Sequence, residues 1–330
     1  MKIAHVRERN APAGTRWRLA AALDADGGRW LDLEAARRAL VADDARLAHN
    51  SALFRQPVTT LDAHLRAGMR VDALADLLAA PPDEARDAAD LVFGPPVLEP
   101  PTFRDFYAFE QHVGTMWKRR DMEIPEAWYR LPIFYFSNTS EIRGPGDAVW
   151  APRGSEELDY ELEVAALIDT PVRDLDASRG EEAIGGYTIL NDWSARDLQR
   201  EETTVRLGPA KGKDFASSIG PWIVTPDELA DARSGTGYDL TMTATVNGQE
   251  LSRGTWSSAQ FSFGQMVERA SADVRLRPGE ILGSGTVGTG CLLEIREETL
   301  GRYLQPGDTV TLSVERLGSI TTPIVEPPTA

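Results

Sequence analysis

Apolar positions change period twice along this chain. Trp17 to Leu23 and Arg29 to Leu33 read as short strands around Asp24-Ala25-Asp26-Gly27-Gly28, which predicts a hairpin with a Gly-rich turn. Between residues 32 and 80, Leu33, Ala36 and Leu40, then Leu74, Leu77 and Leu78, recur at helical spacing. Pro81-Pro82, Pro95-Pro96 and Pro100-Pro101 interrupt that pattern. Proline fixes φ and lacks an N–H, so residues 81–101 read as a Pro-rich linker. A small N-terminal domain (1–80) is expected before it and the main domain (102–330) after it. In the main domain, Thr102 is placed to cap a helix from Phe103 to Val113. β-branched and aliphatic runs then dominate: Glu161–Ile168, Ile184–Asn191, Ile219–Val224, Leu240–Val246 and Val310–Val314. The pattern predicts an α+β, β-rich fold.

Several of these runs carry polar residues that an ordinary strand does not need. In Leu158 to Ile168, period two puts Asp159, Glu161 and Glu163 on one face. Alone, that is a solvated edge, but the run continues into Ala165-Ala166-Leu167-Ile168, which reads as buried on both faces. Acids crowded against such a run repel one another unless a cation neutralises them. Ile184 to Leu198 is an apolar strand ending at Asn191-Asp192, with a helix expected to start there. Asp192 is either its N-cap or a carboxylate at the mouth of a strand. In the predicted helix after Thr102, Asp105 and His112 lie seven apart on one face, while Phe103, Phe106 and Phe109 form a core stripe. Lys213 follows a Gly-rich bend that lacks Walker spacing. Gly283, Gly285, Gly288 and Gly290 allow close backbone approach, and Glu294, beside Leu292 and Leu293 on an expected strand, is an acid in need of a partner.

Composition narrows the chemistry. The 330 residues are 42% hydrophobic and 26% charged, ordinary globular usage that supports a large core. The net charge of −16 argues against nucleic acid and anionic membrane surfaces as partners. No signal-peptide pattern opens the chain and no apolar run reaches the ~20 residues of a membrane span, so a cytoplasmic location is expected. The single cysteine, Cys291, and the four histidines, His5, His49, His64 and His112, show no metal-ligand spacing. A metal site here would have to be rich in oxygen, which selects Mg²⁺, Ca²⁺ or Mn²⁺ over Zn²⁺.

Taken in order, DFY…QH (Asp105 to His112), ELE (Glu161 to Glu163), NDWSARDLQ (Asn191 to Gln199), LGPAKGK (Leu207 to Lys213), GPW (Gly220 to Trp222), LRPG (Leu276 to Gly279) and GSGT…LLE (Gly283 to Glu294) resemble the fumarylacetoacetate hydrolase family. The resemblance runs from about 102 to 317, and NDWSARDLQ is its most specific stretch. It implies a mixed β-roll with a small N-terminal domain, as a homodimer. It places metal carboxylates on Asp105, Glu161, Glu163 and Asp192, a general base on His112, the acid orienting that base on Glu294, and a substrate-side cation on Lys213. Substrate contacts fall on Tyr107, Gln199 and Thr286. The substrate-binding arginine of the family maps to Lys118, Arg119 or Arg120, with Arg119 taken as its position. Around Thr203 no tyrosine stands where the animal enzyme has one, and the loop from Thr286 to Glu294 is short; these departures touch the substrate pocket rather than the metal carboxylates.

The expected activity is therefore hydrolysis of C–C bonds in 1,3-dicarbonyl acids such as acylpyruvates or fumarylacetoacetate-like catabolites, of the kind met in aromatic catabolism. The expected cofactor is a divalent cation, Mg²⁺ foremost. An oxo-acid decarboxylase, hydratase or isomerase of the same superfamily is the alternative.

Overall fold

The first strand, Lys2–Glu8, pairs antiparallel with Ser217–Val224, Ile3 facing Ile223, so the N-terminal residues join the same sheet as strands from beyond residue 102. In the computed structural model, which describes residues 1–81 and 85–328, that sheet has 12 strands. Its main path runs Ala85–Asp87, Arg29–Asp32, Arg18–Ala22, Lys2–Glu8, Ser217–Val224, Ile184–Asp192, Leu162–Ile168, Ile281–Gly283, Phe103–Phe106 and Phe134–Ser137. A second sheet of four strands orders Gln249–Thr255, Thr241–Val246, Thr309–Val314 and Gly318–Pro323. Together with helices these make a β-rich mixed fold. The expected hairpin is present, with Ala22 opposite Trp30. Of the proline-rich segment 81–101, residues 82–84, Pro82 among them, lie outside the described residues. The rest carries the short strands Ala85–Asp87 and Leu91–Phe93.

The long strand Leu162–Ile168 is buried at every position because each face meets its own core. Leu162, Val164, Ala166 and Ile168 pack toward the four-stranded sheet with Met242, Ala244 and Leu312. Ala165 and Leu167 point the other way, into a core completed by Leu33, Ala36, Leu61, Leu74 and Leu77. The segment from 33 to 80 supplies this cover as a helix, Leu33–Asp43, several short helices and a 3₁₀ stretch, Val71–Ala79. At roughly 25 cal/mol per Å² of apolar area removed from water, two such cores supply the main stabilisation of the chain.

Three local expectations are corrected. Phe103–Phe106 is a strand, paired parallel with Ile281–Gly283 and antiparallel with Phe134–Ser137, and the helix begins only at Glu110. Thr102 is therefore no helix cap, and Asp105 and His112 sit on different elements. The phenylalanines do fill the core, yet two waiting strands outweigh their helical spacing. Asp192 is not a helix cap either: its strand runs through Asp192, and the next helix is Arg196–Thr203. Glu294 lies in one turn of helix, Leu292–Ile295, rather than in a strand. Among the described residues, no helix is long and apolar enough to cross a membrane.

Candidate active site

Three carboxylates reach one place because three strands share a face. Glu163 lies opposite Leu190, two residues before Asp192, so both acids leave the same side of the sheet. Ala165 faces Gly283, which in turn is in register with Asp105. The parity that carries Phe103, Ala165 and Leu190 into the core thus carries Asp105, Glu163 and Asp192 just beyond its edge. Gly283 between them must stay small, since a Cβ there would collide with Asp105 Oδ1 and Leu190. Gly285, at φ 79°, turns its N–H onto Glu163 Oε2 at 2.9 Å.

Oxygens of Asp105, Glu163 and Asp192 all lie within 4.8 Å of one another, and all three residues are buried. Asp105 Oδ1 and Asp192 Oδ1 have no hydrogen-bond partner. Burial, reinforced by the neighbouring acids, pushes the Asp105 and Glu163 carboxyls well above their usual range. Burial also raises Asp192, against the pull of Lys213. Buried, orphaned oxygens that resist ionisation mark a missing positive charge, and an all-oxygen set fits a hard divalent cation.

Glu161, expected as a fourth member, is turned aside. It accepts from Lys213 Nζ and contacts Arg196 Nη2 at 2.8 Å. Burial opposes its ionisation, but Lys213 and Arg196 prevail and bring its carboxyl down to about 2. Lys213 also donates to Asp192 Oδ2 at 2.7 Å, and burial, which disfavours its ammonium, is overcome by Asp192 and Glu161.

His112 and Glu294 meet, with Nδ1 2.5 Å from Oε1, both side chains buried. The second oxygen of Glu294 accepts the N–H of Thr289 at 3.1 Å. Since a carboxylate only accepts, Nδ1 carries the proton and Nε2 the lone pair. The ring of Tyr107 stands edge-on to the imidazole, centroids 5.5 Å apart.

These groups line a single cavity of about 770 Å³. Its wall includes Asp105, Glu161, Glu163, Lys213 and His112, and the expected substrate contacts Tyr107, Gln199 and Thr286. Asp192 and Glu294 stand behind the wall, bonded to Lys213 and His112. Of the three candidates for a substrate arginine, Arg119 and Arg120 reach the wall and Lys118 does not. Thr286 Oγ1 points at Glu163 Oε1 at 3.4 Å. Gln199 Oε1 accepts from Arg196 Nη1 at 3.0 Å, leaving its amide NH₂ as a donor.

Sequence reasoning passed over Arg196 and Tyr135, and it named Asp159 on the acidic face without giving it a role. Arg196 bridges Asp159 at 2.8 Å and Glu161, fully buried. Asp159 also accepts the N–H groups of Leu292 at 2.7 Å and Leu293 at 2.9 Å, so it caps the turn that carries Glu294. It belongs to this scaffold rather than to a solvated face. Tyr135 donates to Asp192 Oδ2 at 2.5 Å. The cation within NDWSARDLQ was a usable signal for Arg196; nothing within the apolar Leu131 to Phe136 singled out Tyr135.

A family model described as the fumarylacetoacetate (FAA) hydrolase C-terminal region matches residues 102–325. The chain belongs to the fumarylacetoacetate hydrolase family. It is 31% identical over 191 residues to a 2,4-didehydro-3-deoxy-L-rhamnonate hydrolase of a Sphingomonas species, covering 57% of this chain and 63% of that protein. It is 29% identical over 270 residues to a fumarylacetoacetase of Arabidopsis thaliana, covering 64% of each. The chain thus spans somewhat less than two thirds of these relatives. Its fold is similar to the solved fumarylacetoacetate hydrolase of Exiguobacterium antarcticum, with TM-score 0.72 and 22% identity over 99% of this chain and all of the other.

Proposed function

We propose that this member of the family is a divalent-cation-dependent hydrolase that cleaves a C–C bond in a 1,3-dicarbonyl acid. The observation that carries the reading is the 2.5 Å His112–Glu294 contact in the wall of the cavity that also holds the carboxylate cluster. Asp105, Glu163 and Asp192 would hold the cation, with Glu161 joining if it releases one of its basic partners. Once bound, a hard cation such as Mg²⁺ supplies Lewis-acid charge to the dicarbonyl and to the departing enolate.

The chain's own residues account for the remaining steps. His112 takes a proton from water at Nε2, while Glu294 holds Nδ1–H and steadies the imidazolium. The hydroxide attacks the carbonyl, and Lys213 Nζ and the amide of Gln199 donate to the developing oxyanion. His112 returns its proton to the leaving carbon. Arg119, Arg120, Arg200 and Arg296 in the wall give an acidic protein a local attraction for an anionic oxo-acid.

A decarboxylase or isomerase needs no activated water, which is why the dyad favours hydrolysis over them; a hydratase also activates water but leaves the C–C bond intact. The test is incubation with Mg²⁺ and a panel of acylpyruvates, fumarylacetoacetate and oxaloacetate, followed by product identification. Two acid or keto products support hydrolysis; CO₂, a single hydrated product or an isomer alone contradicts it.

A further inference from the structure

The dyad has a third neighbour. Cys291, the chain's single cysteine, is fully buried with Sγ 3.7 Å from Glu294 Oε1. Donor atoms of His112, Cys291 and Glu294 lie within 4.8 Å of one another. We propose that these three residues form a second metal site, selective for a thiophilic divalent cation of the zinc class, whose occupation inhibits the enzyme.

The donor chemistry separates this site from the carboxylate cluster. Nitrogen, sulfur and one carboxylate oxygen suit zinc, whereas an all-oxygen set suits magnesium. Zinc commonly takes three protein ligands and keeps a fourth position for water. Of the three, His112 lines the cavity, and Cys291 and Glu294 lie behind its wall. The 2.5 Å His112–Glu294 separation is that of a short hydrogen bond from Nδ1–H to Oε1. Two ligands about 2 Å from a tetrahedral ion sit about 3.3 Å apart, so the ion would part the pair slightly as it replaces that proton. The N–H of Thr289 already holds the other oxygen of Glu294, the kind of outer contact that orients a ligand. Without a cation, burial and then the charge of Asp159 keep the Cys291 thiol protonated and inert.

Inhibition follows from where the protons go. Metal at Nδ1 moves the ring proton to Nε2, and the thiol proton leaves to solvent. Nε2 then has no lone pair with which to take a proton from water. This consequence rests on the base role proposed for His112; the metal site itself rests on the donor geometry alone.

Cadmium, a zinc surrogate whose bond to thiolate absorbs in the ultraviolet, tests the two parts separately. Mg²⁺-loaded protein is titrated with Cd²⁺, and turnover is titrated with Zn²⁺, for the native chain, Cys291→Ser and Cys291→Ala. The expected result is a thiolate band saturating at one equivalent in the native protein and absent from both variants. The variants should keep native turnover and need about 10-fold more Zn²⁺, or beyond, for inhibition. No band in the native protein overturns the site, as do variants inhibited at the native Zn²⁺ concentration. A band with turnover undiminished overturns the inhibitory role and the base role of His112 together, while the site stands.

Discussion

The Nδ1 atom of His112 stands 2.5 Å from Oε1 of Glu294, across 182 positions of sequence. The contact fixes which ring nitrogen is free, and groups that act as a unit lose function together. His112→Ala should lower turnover on the order of 10²-fold or more, the range expected for a lost general base. Glu294→Gln should cost less, and the double variant little more than His112→Ala. Steady-state kinetics across this double-mutant cycle are the check, and additive losses would break the dyad. Mg²⁺ affinity at the carboxylate cluster should hardly change in any of the three.

Asp105, Glu163 and Asp192 bring three buried carboxylates together, and Lys213, shared between Asp192 and Glu161, does not balance their charge. Exhaustive EDTA treatment should abolish turnover, and Mg²⁺ or Mn²⁺ should restore it. Asp192→Asn and Glu161→Gln should weaken Mg²⁺ binding by calorimetry, the second because Glu161 lies beside the cluster and holds Lys213 in place. Full activity after chelation would sink the metal role.

How much of this was legible is uneven, for physical reasons. Leu162–Ile168 was readable because a strand buried on both faces must be apolar throughout. Glu163 stood out because charge beside such a run needs compensation, whereas Asp105 and Asp192 entered as metal carboxylates only through the family resemblance. Phe103–Phe106 misled because phenylalanines three apart mimic a helix, and only the partners Ile281–Gly283 and Phe134–Ser137 decide for a strand. Arg196 and Asp159 pair across 37 positions, and Tyr135 and Asp192 across 57, distances that no local period reports.

Phe134–Ser137 ends the main path of the large sheet, and there Phe136 is 62% exposed and Ile133 44%. An apolar sheet edge of this kind invites pairing. The chain should therefore run as a homodimer in sedimentation at micromolar concentration, and Phe136→Glu should shift it toward 36.1 kDa. A native particle of that single-chain mass would refute the dimer.

Asp308 offers a pH test of stability away from the site. Both oxygens accept from Arg302, at 2.6 and 2.8 Å, while Asn247 and the N–H of Gln305 add further bonds. The Arg302 bonds, opposed by partial burial, hold its carboxyl at about 2, below the ordinary 3.8. A depressed carboxyl adds stability above its unfolded value and loses it as pH falls toward its folded one. The destabilisation caused by Asp308→Asn in denaturant titrations should be full at pH 7 and shrink below 3.8 toward about 2. A penalty independent of pH would show that the charge contributes nothing.

Hydrolysis has one signature that no decarboxylase, hydratase or isomerase shares: C–C cleavage that puts an oxygen atom from water into a newly formed carboxylate. Turnover of the best substrate from the panel in H₂¹⁸O, quenched early and read by mass spectrometry, measures it directly. The account predicts one ¹⁸O in the newly formed carboxylate of the acyl fragment, appearing at the rate of C–C cleavage, with both label and cleavage falling together in His112→Ala. Cleavage, hydration or isomerisation with no ¹⁸O in a newly formed carboxylate would contradict it.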